Sequence, residues 1–116
     1  MSPRPLQHPK PDQITLEGIL HALSDPARLS IVRELFHARC KMNCSEAKGR
    51  VHDEMPKSTC SLHFRVLRES GLVVGKRKGV ELEHELRLAD LNARFPGLID
   101  SILQSFERDR KRKRRP

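Results

Sequence analysis

The chain has no tryptophan and no tyrosine, and its only benzenoid rings are four phenylalanines, 3% of the residues. Its 116 residues therefore have to build a core from leucine, isoleucine, valine and those four rings. That is enough for one small domain and not for two. A chain so short and so lightly aromatic is also a candidate for stability gained by self-association. No apolar run approaches the roughly 20 residues a membrane helix needs, and the N-terminal MSPRPLQHPKPDQ lacks the apolar centre of a secretion signal. A soluble, cytoplasmic protein with no membrane partner is expected. Cys40, Cys44 and Cys60 are too few for a disulfide framework and read as free thiols or ligands in a reducing compartment. No Ser-His-Asp order, glycine-rich phosphate loop, spaced carboxylate pair or internal repeat is present. No enzyme activity and no cofactor are expected.

Positive charge is what the sequence has in excess, with a formal net charge of +8. Its distribution is uneven. Residues 108–116, RDRKRKRRP, hold seven Lys/Arg and one acid, so residues 1–107 keep only +2. Such a tail reads either as a solvated, disordered end or as a phosphate-binding arm. The charge favours a nucleic-acid partner without establishing one.

Pro3, Pro5, Pro9 and Pro11 make the first dozen residues extended or disordered. From Ile14 onward Leu16, Ile19, Leu20 and Leu23 recur at helical spacing behind a Thr15 N-cap. A second helix starts at SDPARLSIVREL. Asp25 caps it, Pro26 suits its first position, and Leu29, Val32, Leu35 and Phe36 form its buried stripe, with Arg28 and Arg33 off that stripe. A short helix is expected around 45–50, weakened or ended by Gly49, before Pro56 breaks the chain and opens the next helix.

That next helix, in PKSTCSLHFRVLRESGLV, is the informative one. Cys60, Phe64 and Leu67 form its packed stripe, while Lys57, Ser58, Ser61, Leu62 and Arg65 share the opposite arc and Gly71 stops it. Short hydroxyls are poor helix formers and need another reason to be there. After it, Val80, Leu82, His84, Leu86 and Leu88 alternate with Glu81, Glu83, Glu85 and Arg87, a strand with one covered face. KRKG before it reads as a hairpin tip and 72–77 as the first strand, with Lys76 and Lys78 facing the glutamates. Finally Leu91, Phe95, Leu98, Ile99, Ile102, Leu103 and Phe106 form one long apolar stripe, kinked or started at Pro96.

A helix-turn-helix followed by a two-stranded ribbon is a winged helix, a mainly α fold with a β-wing. A helix entering the major groove keeps short donors and acceptors such as Ser58, Thr59 and Ser61 where its backbone nears DNA. Lys57 and Arg65 then stand where phosphates pass, Leu62 lies on the same arc, and Lys76, Arg77 and Lys78 extend the positive surface toward the minor groove.

LSDPARLSIVREL, STCSLHFRVLRESGLV and the following hairpin resemble the arsenic-repressor (ArsR/SmtB) family of bacterial regulators over about residues 14–107. The recognition-helix wording is close to the family's Ser-Thr-Val-Ser-His-His-Leu-Lys-Val-Leu, with Leu62 standing where the family has His. DLNARFPGLIDSIL resembles one branch's last helix. The resemblance implies a homodimer docked through the first and last helices, placing Leu16, Ile19, Leu98, Ile99, Ile102, Leu103 and Phe106 at the interface. It also implies repression of a double-stranded DNA operator, released by an effector. The family's metal motifs are missing. No His follows Ala89, and Cys44 has no second Cys two residues away.

Several residues invite other chemistry. His37, Cys40 and Cys44 would share one face of a continuous helix, suiting a thiophilic metal or a redox sensor, or else they are small, partly buried residues at a helix end. Cys60 reads as core, and His63 and His84 as hydrogen-bonded structural histidines. His52, Asp53 and Glu54 read as a polar loop. Glu81, Glu83 and Glu85 read as the solvent face of a strand. The expectation is therefore an arm at 1–13, a winged-helix DNA-binding and dimerisation domain at 14–107 and a basic tail at 108–116. Its function is that of a sequence-specific regulator, probed against two alternatives: a non-specific nucleic-acid packing protein driven by the tail, and a thiol-based sensor using Cys40 and Cys44.

Overall fold

A computed structural model describes residues 6–38, 41–51 and 54–114. Helix α1, Leu16–Leu23, begins where Thr15 Oγ1 accepts from the Gly18 amide at 3.1 Å. Helix α2, Pro26–Ala38, is capped by Asp25, whose Oδ1 accepts from Ala27 and Arg28 amides at 2.8 and 3.2 Å. Burial works to raise the Asp25 carboxyl, but those two amide bonds, helped by the nearby Arg28 guanidinium, hold it below the usual carboxylate range. Both caps satisfy amides that have no partner inside their own helix.

Helix α3, Cys44–Val51, forms where a short helix is expected and runs past Gly49. The reason is a reciprocal cap: Asn43 Oδ1 accepts from the Glu46 amide at 2.9 Å, and Glu46 Oε1 from the Asn43 amide. Helix α4, Lys57–Ser70, follows the extended Pro56. It ends at Gly71 with φ 88°, where Gly71 and Leu72 amides reach the Arg68 and Leu67 carbonyls. A Cβ at Gly71 would lie 2.5 Å from Ile14 Cγ1, so both the backbone and the space demand glycine.

Strands β1, Val73–Lys78, and β2, Glu81–Leu86, pair antiparallel. Lys76 stands opposite Glu83 and Lys78 opposite Glu81, the charge pairing read from the sequence. Two details differ from that reading. The strand pairing includes Lys78, so the reversal falls at Gly79–Val80, and Val80 is fully exposed at the tip rather than on the covered face. Met42 adds a one-residue bridge to the outer edge of β2, exchanging backbone bonds with His84 at 2.9 and 2.7 Å. That bridge, together with the end of α2 at Ala38 and the start of α3 at Cys44, rules out one continuous helix carrying His37 and Cys44 on a shared face.

The long C-terminal apolar stripe is divided between α5, Leu88–Arg94, and α6, Leu98–Arg114. Pro96 and Gly97, the latter at φ 75°, separate them. The core is fully covered at Ile19, Ile31, Phe64, Leu67, Leu72 and Leu91. Ile99 and Leu103 from α6 are buried as well, at 1% and 2% exposure. A polar clasp fixes α6 on α2: Glu107 accepts from Arg33 Nε at 3.1 Å and from His37 Nε2 at 2.7 Å, which pulls its carboxyl below the usual range.

Residues just outside the span 14–107 also make defined contacts. His8 Nε2 accepts from the Gly75 amide at 2.9 Å and the Pro9 carbonyl from Arg87 at 2.8 Å, so His8 meets β1 and Pro9 the residue that follows β2. At the other end α6 continues through Arg114, and Arg110 packs over the Phe106 ring at 5.4 Å one turn back.

Candidate nucleic-acid interface

The two faces of α4 divide cleanly. Cys60, His63, Phe64 and Leu67 are buried, whereas Lys57, Ser58, Ser61, Leu62 and Arg65 are exposed along one arc; Thr59 is half-buried at its edge. Leu62, at 55% exposure, is a large apolar side chain in the middle of that polar arc. Arg65 is held by Glu69 at 3.0 Å, but both side chains are more than half exposed. Such a pair is worth only about 0.3–0.5 kcal/mol, so the guanidinium is readily transferred to a stronger anion. Lys76, Arg77 and Lys78 are all exposed on the hairpin. The helix N-terminus adds its own positive potential next to Lys57.

What locks the hairpin to α4 is a polar stack that the sequence does not announce. His84, at 1% exposure, lies 4.0 Å from the Phe64 ring with the planes only 14° apart. Its Nε2 lies 2.8 Å from Arg68 Nη1. Burial first, then the Arg68 charge, pushes the imidazole down to about 4, against a smaller upward pull from the Met42 backbone bond. The ring is therefore neutral, Nε2 accepts from Arg68, and the proton sits on Nδ1, which has no partner among the described residues. A Cβ at Gly75 would lie 3.1 Å from both Arg68 Cδ and His84 Nε2, so the bare glycine makes room for this pair. His63, 9% exposed, is likewise structural, with Nδ1 3.4 Å from Arg28 Nη1. Arg28 itself donates to the Ala22 carbonyl at 2.6 Å.

Between α3, α4 and the hairpin lies an open cleft of about 190 Å³, bordered by Cys44, Lys57, Ser61, Arg68 and His84. Cys44 Sγ is 3.7 Å from Ser61 Oγ. The Cys60 thiol, whose sulfur lies 3.6 Å from the Cys44 carbonyl oxygen, is the strongest influence bringing the Cys44 thiol down to about 6; burial opposes it, and Ser61, Lys57 and Arg68 assist. In the sequence Cys60 reads as core alone, and no spacing rule links positions 44 and 60. Of the three metal candidates, His37 is engaged by Glu107, Cys44 by Ser61 and Cys60, and Cys40 lies outside the described residues. Residues 52 and 53 lie outside them too. Among the described residues, no group of three or more His, Cys, Asp or Glu is placed to hold a metal ion.

The seven positions named for a dimer surface separate. Ile19, Ile99 and Leu103 are consumed by the chain's own core because they sit on the inward side of α1 and α6. Leu16 is 42% exposed, and Leu98, Ile102 and Phe106 are half-buried. Leu20, at 49% exposure, is a further open apolar side chain on α1. No helix among the described residues is long and apolar enough to cross a membrane.

Comparison with known proteins adds four likenesses. A family model for a helix-turn-helix domain matches residues 23–75. The uncharacterized HTH-type transcriptional regulator YceK of Bacillus subtilis (strain 168) is 32% identical over 91 residues, covering 78% of this chain and 88% of that protein. The transcriptional repressor BigR from Xylella fastidiosa superposes with a TM-score of 0.60 at 25% identity, over 78% of this chain and 85% of BigR. An ArsR-like transcriptional regulator from Rhodococcus sp. RHA1 gives 0.56 at 24% identity, over 84% of each chain.

Proposed function

Since this chain belongs to the ArsR/SmtB family of winged helix-turn-helix transcriptional regulators, we propose that it represses transcription by binding a specific DNA operator as a homodimer. The observation that carries the reading is the α4 arc. Ser58, Ser61, Leu62 and Arg65 are exposed together, with Lys57 at the helix start, while the reverse face is fully packed. Two short hydroxyls exchange hydrogen bonds with base edges, Leu62 offers apolar contact to a thymine methyl, and Lys57 and Arg65 neutralise flanking phosphates. Lys76, Arg77 and Lys78 carry the positive surface outward along the wing, and Val80 at its tip is an apolar side chain of the kind that enters a minor groove.

The dimer reading is supported by Leu16 and Leu20 on α1 and by Leu98, Ile102 and Phe106 on α6, apolar side chains that one protomer leaves uncovered or half-covered. A two-fold dimer presents two α4 helices to half-sites about one helical turn or a multiple apart. The fold and the relatives are those of transcription regulators rather than enzymes.

A gel-shift selection from genomic fragments at moderate salt tests the reading. Selective capture of a two-fold symmetric site is expected, with transcription from a template bearing it falling as protein is added. Affinity that never exceeds that for bulk competitor DNA refutes a specific regulator. It favours the packing reading only if removing residues 108–116 abolishes binding.

A further inference from the structure

We propose that Cys44 and Cys60 form a two-thiol redox site, in which a hydroperoxide oxidises Cys44 and Cys60 closes a disulfide that distorts the DNA-reading helix. The effect on affinity rests on the DNA-binding reading above; the thiol chemistry does not.

The pair spans the turn of the helix-turn-helix. Cys44 is the first residue of α3, and Cys60 lies in the first turn of α4. Neither is in a disulfide. Cys60 is fully buried, and its thiol lies 3.6 Å from the Cys44 carbonyl, close enough to donate there or to the Cys44 sulfur. Cys44 is only half-buried and borders the cleft, where Lys57 and Arg68 stand as cations and Ser61 Oγ approaches its sulfur. One sulfur is thus accessible and carried as a thiolate for much of the time near neutral pH; the other is shielded and held against it. That is the division of labour between an attacking and a resolving cysteine.

The chemistry balances with a hydroperoxide as the named oxidant. The Cys44 thiolate attacks the terminal peroxide oxygen, the O–O bond breaks, and the departing alkoxide or hydroxide takes a proton. Cys44 is left as a sulfenic acid. The Cys60 sulfur then attacks the Cys44 sulfur, the S–O bond breaks and water leaves, taking the Cys60 proton. Two thiols have lost two electrons, and one peroxide has been reduced.

The consequence is mechanical. A disulfide is about 2.0 Å long, shorter than any hydrogen-bond contact between two sulfurs. Cys60 cannot simply swing outward, because Phe64 and Leu67 on the same stripe are at 0% exposure. Closing the bond therefore draws the first turn of α4 toward α3, displacing Lys57, Ser58 and Ser61 relative to the wing.

The test uses the full chain, reduced, freed of reductant, and titrated with hydrogen peroxide before alkylation and tryptic digestion without reduction. Peptide 42–48, carrying Cys44, is expected joined to peptide 58–65, carrying Cys60, with the loss of two hydrogens. Affinity for the selected fragment should fall about tenfold or more in step with that link and return with dithiothreitol. Cys60→Ser should leave a dimedone-reactive sulfenic acid at Cys44, and Cys40→Ser should leave link and response intact. A link between Cys40 and Cys44 in place of this one, or full peroxide exposure with no linked peptide, overturns the site. A link that forms without changing affinity overturns the switch. If Cys60→Ser fails to fold, the wild-type peptide map still decides. If the reduced chain has no sequence preference, the DNA reading falls while the map judges the thiol pair separately.

Discussion

Acid should loosen the wing from the reading helix through His84. In the folded chain its imidazole titrates at about 4, against 6.5 for the unperturbed group. Folding therefore favours the neutral ring. The stability this contributes is fully present above about pH 6.5 and drains away as the pH falls toward 4. Between pH 8 and pH 5 the unfolded chain gains the proton almost completely and the folded chain hardly at all. The loss from this one residue is then about 2 kcal/mol, at 1.36 kcal/mol per unit. For a chain of 116 residues that corresponds to a fall in Tm of about 8 °C. The perturbation to compare is His84→Gln, which cannot titrate in this range and offers an amide oxygen to Arg68. The absolute stability of the variant will be lower, because the stack on Phe64 is lost; the pH slope is the measurement. Urea titrations followed by far-UV circular dichroism suit a chain without Trp or Tyr, run at fixed protein concentration so that association does not shift the midpoint. Other histidines and carboxylates titrate in both proteins and cancel in the comparison. The wild type should lose about 2 kcal/mol more than the variant over this interval. Equal losses would refute the claim that a buried neutral His84 fastens β2 to α4.

Four further outcomes follow from the packing and the charge. Leu103→Ala, at a side chain 2% exposed on α6, should cost about 2–5 kcal/mol, read as a lowered urea midpoint. Asp25→Ala removes the carboxylate that accepts the Ala27 and Arg28 amides and should cost about 1 kcal/mol, while the same change at exposed Asp100, which accepts from the Gln104 side-chain amide on the helix surface, should cost much less. Replacing Leu16 and Leu20 together by Glu should yield a monomer by sedimentation velocity with its helix content kept. Removing any one of Lys76, Arg77 or Lys78 should flatten the slope of log affinity against log salt by about one if that side chain meets a phosphate.

Some of this architecture is written in local chemistry. Thr15 and Asp25 followed by apolar residues at helical spacing mark two helix starts, because a short oxygen side chain can satisfy free amides without help from anything distant. Gly71 marks a helix end for a similarly local reason, its positive φ. The alternation through 81–86 marked the strand, and lysines facing its glutamates marked the charge pairing, since both depend only on period two and opposite charge, whereas the place of the reversal at Gly79–Val80 was not legible. The exposed arc of α4 was legible because Ser58 and Ser61 contradict helix propensity, and that contradiction needed a purpose.

Only the tertiary structure decided the rest. Ile19 and Leu16 look alike in the sequence, yet one is buried in the chain's own core and the other is open, a difference set by how α1 is rotated against its neighbours. The run 37–44 has helical spacing, but Met42 is claimed by β2, and a backbone bridge from a distant strand outweighs a weak local preference. The same holds for Arg68, His84 and Gly75, and for Cys44 and Cys60. Each set is brought together by the packing of α3, α4 and the hairpin, and spacing along the chain carries no information about which side chains three separate elements will press together.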